Sequence, residues 1–298
     1  MQTVELEGGR QATYEVVGTG LPTVMLPGGP GYAAAYMLGN ARLFADVLQS
    51  HLIDPHGSGG STAPADPADY SPEGHARFYE EVRRALGLDE VVVLGHSFGA
   101  TTALTYAAIY PGSLSRCIAV GAYGVGVETD DADAVGAAAE MDAFLARHAD
   151  KEWYPDARAA WDSWTERVLA TDDPTEVDRM MATVLPLYTA HPERPEVWAA
   201  LEEMKKDLEG NLAAAKVWEG GLFQEIDVRP LLGRINVPTL LVAGELDLVC
   251  GPAQAMPLER GIPNATLVVI PDCGHMPEVE APTPFLESVS SWLASSPG

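Results

Sequence analysis

Apolar residues gather in short runs toward both ends of this chain and in helix-spaced clusters through its middle. Residues 3–7, 12–17, 23–26, 51–54, 91–94, 117–121, 239–243 and 267–270 read as eight strand candidates. The runs 237–243 and 265–270 have the look of buried strands. Helical stretches such as 74–86 and 285–294 lie between most of the later strands. That alternation predicts an α/β fold, a mostly parallel eight-stranded sheet flanked by crossover helices.

The interval from 123 to 225 breaks the rhythm. It contains no convincing strand, and its runs 131–148, 155–170, 175–185, 196–208 and 211–218 have helical character, separated by Pro, Gly and Asp. An all-helical insertion between two strands predicts a cap over the active end of the sheet. The expected division is therefore core at 1–122, cap at 123–225 and core again at 226–298. Five of the six tryptophans, Trp153, Trp161, Trp164, Trp198 and Trp218, fall in the insertion. Helical spacing assigns most of them to packing and leaves one or two for a pocket wall.

Candidate chemistry begins at Gly95-His96-Ser97-Phe98-Gly99, which follows the apolar run 91–94 and precedes the helix-like stretch 100–107. Strand, tight turn and helix in that order are the setting of a nucleophile elbow, whose strained turn leaves no room for a Cβ beside the serine. Alone, the pentapeptide is a weak signal. A serine nucleophile also needs a base, an acid to orient the base, and donors for an oxyanion. His275, in the loop after 265–270, is the candidate base; Asp247, in the loop after 237–243, is the candidate acid, with Glu245 in reserve. A loop Asp is usually a turn former and a loop His usually a structural one, so the weight rests on the joint placement of all three. Upstream, Pro27-Gly28-Gly29-Pro30-Gly31 follows an early apolar run with almost no side chains. The amides of Gly29 and Phe98 are the candidate oxyanion donors.

With these motifs in place the chain resembles an α/β-hydrolase fold protein of the proline iminopeptidase type. That family carries an H-G-G-P-G loop, a D-x-R-G-x-G-x-S segment, a G-x-S-x-G elbow and late Asp and His residues. The matches are 27–31, 54–61, 95–99, Asp247 and His275, spread over most of the sequence. Three positions depart: Pro27 replaces the loop histidine, His56 replaces the arginine, and Leu248 stands where an acidic residue often follows the Asp to hold the substrate's amine. The resemblance makes Glu219, in the cap, the candidate amine ligand, with Gly28 and Trp218 as further substrate contacts.

Charge narrows the partners. With 18 basic against 43 acidic residues the formal charge is −25, which opposes binding to nucleic acid. Cys117, Cys250 and Cys273 are too scattered for a disulfide framework or a metal site, and read as small buried thiols. No apolar stretch approaches the roughly 18 residues of a membrane span, and no leader-like segment opens the chain. The expectation is a cytoplasmic protein without membrane contact, acting on a small molecule or short peptide, with its oligomeric state left open.

The reaction these residues predict is two-step acyl transfer without a metal or organic cofactor. A proline iminopeptidase-like release of an N-terminal residue ranks first, and an esterase, amidase or lactonase acting on a small metabolite second. A noncatalytic ligand binder, or a lyase on the same fold, is the third reading. A pure binder has no need of nucleophile, base, acid and oxyanion loop together.

Overall fold

A computed structural model describes residues 1–124, 147–247 and 249–295; most of the predicted helical run 131–148 and Leu248 lie outside the described residues. Eight strands form one sheet: β1 (Gln2–Glu5), β2 (Gln11–Val17), β3 (Leu21–Leu26), β4 (Leu48–Ile53), β5 (Val91–His96), β6 (Leu114–Val120), β7 (Thr239–Gly244) and β8 (Ala265–Ile270). Their spatial order is β1-β2-β4-β3-β5-β6-β7-β8. The pairs β1–β2 and β2–β4 are antiparallel. All later pairs are parallel.

The core helices are α1 (Leu38–Leu43), α2 (Pro72–Ala85) and α3 (Phe98–Ile109), joined after the insertion by α9 (Pro252–Gly261) and α10 (Pro282–Ser295). Side chains alternate across the sheet, and both faces are covered. Val91, Val93, Cys117, Ala119 and Leu241 pack with Phe78 and Val82 of α2 and Ala103 and Tyr106 of α3. Val92, Leu94, Ile118, Val120 and Val242 pack with Phe44 beyond α1 and Phe285 and Val289 of α10. Two-sided burial is why these strands read as continuous apolar runs, and each large aliphatic side chain so buried stabilises the fold by about 1.5–3 kcal/mol.

α2 shows how the local sequence sets its limits. Ser71 caps it by accepting the Gly74 amide, Pro72 occupies the first turn, and basic Arg83 and Arg84 end it. It buries two charged residues, Glu80 and Arg83. Glu80 accepts from Arg83, Arg84 and the Tyr106 hydroxyl (2.8 Å), and so ties α2 to α3.

Two strands start three residues earlier than their apolar runs. β4 begins at Leu48, because Ser50 and His51 are polar yet buried, with His51 Nδ1 against the Thr23 carbonyl at 3.3 Å. β6 begins at Leu114, where Ser115 and the buried Arg116 mask the pattern.

Between β6 and β7 the described elements are helical: α4 (Tyr154–Asp162), α5 (Trp164–Ala170), α6 (Glu176–Val184), α7 (Pro195–Met204) and α8 (Leu212–Val217), with short turns between them. The single run expected over 155–170 splits at Ser163, which leaves helical φ/ψ and bonds its hydroxyl back to the Ala159 carbonyl. Two contacts seat this insertion on the sheet. Tyr32, from the loop after β3, is buried among Val168, Val177, Met180 and Ala215. Met276, from the loop after β8, is buried among Leu185, Val197 and Leu201.

Candidate active site

Ser97 joins β5 to α3 in a conformation few non-glycine residues adopt, with φ 56° and ψ −122°. Its amide donates to the Val120 carbonyl (2.8 Å), which pins the turn to the end of β6. The flanking glycines are required by space. A Cβ on Gly95 would lie 2.0 Å from the Gly99 carbonyl oxygen, and one on Gly99 would lie 2.2 Å from that of Leu26. The turn leaves Ser97 half-buried among residues that are fully buried.

His275 and Asp247 meet although 28 positions apart, with Nδ1 to Oδ2 at 2.7 Å. Both side chains are almost wholly inaccessible to solvent. Burial alone would raise the Asp247 pKa. The His275 imidazole and the amides of Cys250 and Val249, which donate to Asp247 Oδ1 at 2.9 and 2.7 Å, outweigh it and hold the carboxyl below its usual value. An ionised Asp247 assigns the proton to Nδ1 of the neutral ring and leaves Nε2 as an acceptor. That Nε2 is buried without a hydrogen-bond partner among the described residues. Glu245, the reserve acid, is elsewhere: its Oε2 accepts the Asp272 amide at 3.0 Å.

Gly121, at the end of β6, makes this pairing possible. A Cβ there would lie 2.8 Å from His275 Cε1 and 3.5 Å from Asp247 Oδ2. His96 supports the same loop from below, with Nε2 2.8 Å from the His275 carbonyl and Nδ1 2.8 Å from the Tyr36 hydroxyl. A carbonyl only accepts, so His96 donates from Nε2 and Tyr36 donates to Nδ1. Burial, assisted by His275, lowers the His96 pKa to about 3 and keeps that ring neutral.

Gly29 has φ 57°, and a Cβ on it would lie 2.5 Å from the Tyr32 ring. Gly28 is as confined, by the Tyr36 hydroxyl at 2.7 Å. Phe98 opens α3, where backbone N–H groups lack intrahelical partners and the helix end carries partial positive charge. The glycine loop is braced by the segment 54–61. Ser58 Oγ donates to the Gly31 carbonyl (2.6 Å), and Asp54 Oδ1 accepts the Ala34 amide (2.8 Å). His56, in the arginine position, packs against Tyr70, His75 and Phe78 instead of forming an ion pair, and burial lowers its pKa to about 4.

The insertion reaches the same place. The Trp218 ring packs edge-on against Phe98 at 5.0 Å and near Tyr123 at 6.3 Å. Trp153, Trp161 and Trp164 pack within the insertion, and Trp198 is exposed. Glu219 accepts from Trp164 Nε1 at 2.9 Å and from the Thr165 hydroxyl at 2.6 Å, one bond to each carboxylate oxygen. It still lies within electrostatic reach of Tyr188, whose ring is 5.6 Å from that of His275.

Sequence reasoning missed Gly121, Tyr36, Tyr188 and Glu280. Only Gly121, a glycine directly after a strand, carried a usable signal. Among the described residues, no three His, Cys, Asp or Glu side chains group as metal ligands, and no helix is long and apolar enough to cross a membrane.

The structure thus holds a half-buried serine on a strained strand-to-helix turn, a buried imidazole–carboxylate pair whose Nε2 accepts no bond from that serine, and a confined glycine loop. Comparison with known proteins gives the class. Residues 22–282 match the alpha/beta hydrolase fold family, and the chain belongs to it and is a hydrolase. It is 27% identical over 290 residues to the proline iminopeptidase of Lactobacillus delbrueckii subsp. lactis, covering 92% of this chain and 90% of that protein. An alpha/beta fold family hydrolase from Bacillus anthracis str. Sterne superposes with TM-score 0.77 at 19% identity, over 98% of each chain. An esterase from Exiguobacterium antarcticum does so with TM-score 0.71 at 23% identity, over 99% of each.

Proposed function

We propose that this hydrolase works by acyl transfer through Ser97, His275 and Asp247. The observation that carries the reading is the buried His275 ring, bonded to Asp247 at Nδ1 and unpartnered at Nε2, in a fold that puts a strained serine at the end of β5. In the first step Nε2 takes the Ser97 hydroxyl proton while Oγ bonds to the substrate carbonyl carbon. The carbonyl oxygen becomes an oxyanion held by the Gly29 and Phe98 amides. Asp247 keeps the Nδ1 proton in place and offsets the positive charge of the imidazolium. The imidazolium returns its proton to the leaving group as the carbon–leaving group bond breaks. Water, deprotonated by the same nitrogen, then attacks the acyl-enzyme and restores Ser97.

The substrate reading is proline iminopeptidase-like, release of an N-terminal residue under the helical cap at 123–225, with Trp218 and Gly28 at the acyl group and Glu219 toward the amine. It is supported by the resemblance to the Lactobacillus enzyme along nearly the whole chain. One observation favours a second reading, an esterase, amidase or lactonase: each Glu219 oxygen already accepts a hydrogen bond, and Leu248 supplies no second carboxylate. The test compares wild type with Ser97→Ala on proline p-nitroanilide and on p-nitrophenyl acetate and butyrate. Ser97-dependent turnover of the anilide establishes the peptidase, and turnover of the esters alone establishes the second reading. Full activity in Ser97→Ala overturns the mechanism.

A further inference from the structure

Glu280 ends the one-turn helix Pro277–Glu280, five residues beyond His275, and its carboxylate gathers three main-chain amides. Oε2 accepts from Gly274 at 3.0 Å and from Ala190 at 2.6 Å; Oε1 accepts from Met276 at 3.2 Å. Gly274 and Met276 are the neighbours of His275 on either side, and Ala190 belongs to the helical insertion. The main-chain amide of His275 itself donates to the Tyr188 carbonyl. The space is filled so closely that a Cβ on Gly274 would lie 2.9 Å from Glu280 Oε1 and 2.7 Å from the Ala190 nitrogen. We propose that Glu280 is a positioning residue, which fixes the His275 loop in register with Asp247 and makes that register depend on the seated insertion.

Chemistry favours this over a passive role. Three N–H groups converging on one carboxyl are best met by the anion, because a protonated oxygen would turn a donor toward a donor. The site opposes that charge. Burial, and secondarily Asp247, push the Glu280 pKa up to about 7 against the pull of the three amides. The other ionisable groups around it are His275 and Cys273 in its own loop, Glu278 on its own turn, and Tyr188 from the insertion. Asp272, farther out, is paired with His191 and Arg194 of the insertion. A positioning group poised there makes the placement of the His275 loop sensitive to a proton on Glu280.

This inference rests on the reading of His275 as the base. The experiment measures kcat, KM and their pH dependence for wild type, Glu280→Gln and Glu280→Ala on whichever ester or anilide the wild type turns over, with Ser97→Ala as control. Glu280→Gln keeps the shape but turns an NH2 toward at least one donor. Its kcat is expected to fall roughly 10- to 100-fold, the cost of a small misplacement of a reacting group, with KM within about twofold of wild type. On the acid side the wild-type plot of log kcat/KM against pH is expected to fall more steeply than that of Glu280→Gln. If Glu280→Ala fails to fold, the Gln variant carries the test alone. Wild-type kcat and an unchanged acid slope in folded Glu280→Gln overturn the proposal, as does a lowered Tm with no change in kcat. An active Ser97→Ala marks failure of the mechanism instead, and is distinguishable from either.

Discussion

The main-chain N–H of His275 donates to the carbonyl of Tyr188 at 2.7 Å, so the candidate base is bonded through its own backbone to the helical insertion. The Tyr188 ring also packs on the imidazole. The loop after β8 is thus held by the insertion above, by His96 beneath and by Asp247 at its side.

Asp247→Asn tests the side contact. The Asn oxygen can keep the bonds from the Val249 and Cys250 amides, and its NH2 then faces His275 Nδ1. A donor there draws the proton from Nδ1 to Nε2, where it blocks acceptance from Ser97. The expected result is a loss of about 10⁴-fold in kcat, as for the corresponding change in other serine triads, with little change in Tm. Steady-state kinetics and a thermal melt on one preparation check both parts.

Gly99→Ala is expected to cost far more stability than Gly112→Ala. The first places a methyl 2.2 Å from the Leu26 carbonyl oxygen and 2.5 Å from that of Pro27, two backbone atoms in the middle of the fold. At Gly112 a Cβ meets nothing within 4 Å, and φ is not positive. Overpacking of that severity exceeds the usual 1–3 kcal/mol, so Gly99→Ala should yield little folded protein and Gly112→Ala a melt within about 0.5 kcal/mol of wild type. Circular dichroism melts decide it.

The fold was legible where the strand pattern is simple. β5 and β7 are apolar at nearly every position because both faces are covered, and β8, an edge strand with Thr266 and Val269 exposed, carries a similar pattern; each is followed directly by a loop that carries Ser97, Asp247 or the His275 segment. β4 and β6 were read short because Ser50 and Arg116 are polar residues that are nonetheless buried, so the apolar pattern begins later than the strand does. The supports of the site were hidden for a related reason. Glu280 gathers amides from 190, 274 and 276, and a carboxylate's choice of backbone donors leaves no mark on its neighbours in sequence. Glu219 looked free for a ligand only because nothing in the chain announces Trp164 and Thr165, some 55 residues earlier, as its partners.

Glu80 gives an acid-stability prediction. Burial works against its charge, but bonds from Arg83, Tyr106 and Arg84 lower its pKa to about 2 from the ordinary 4.5. A depressed carboxyl contributes stability that is complete above 4.5 and is lost as pH falls toward 2. Glu80→Gln should therefore destabilise most at neutral pH, by about 3–5 kcal/mol if its buried Arg83 partner is stranded. The gap from wild type should close between pH 4.5 and pH 2. Urea unfolding at pH 7 and pH 3 measures it, and a constant gap contradicts the assignment.

Trp218→Ala tests where the acyl group sits. The indole is edge-on to Phe98, the residue whose amide is a proposed oxyanion donor, and 5.0 Å from Phe223, and the proposal puts it at the acyl group. Its removal opens room next to the reacting carbonyl without touching Ser97, His275 or Asp247. Short esters then lose a contact they used for alignment, and long ones gain a place for their chain. The ratio of kcat/KM for p-nitrophenyl octanoate to that for the acetate should rise by about 10-fold or more, within the range that one or two methylenes command in an apolar pocket. The loss of the aromatic pair should cost about 0.5–1.5 kcal/mol beyond the buried area, small enough for the variant to be assayed folded. An unchanged ratio with lowered stability would assign Trp218 to packing and overturn its place at the acyl group.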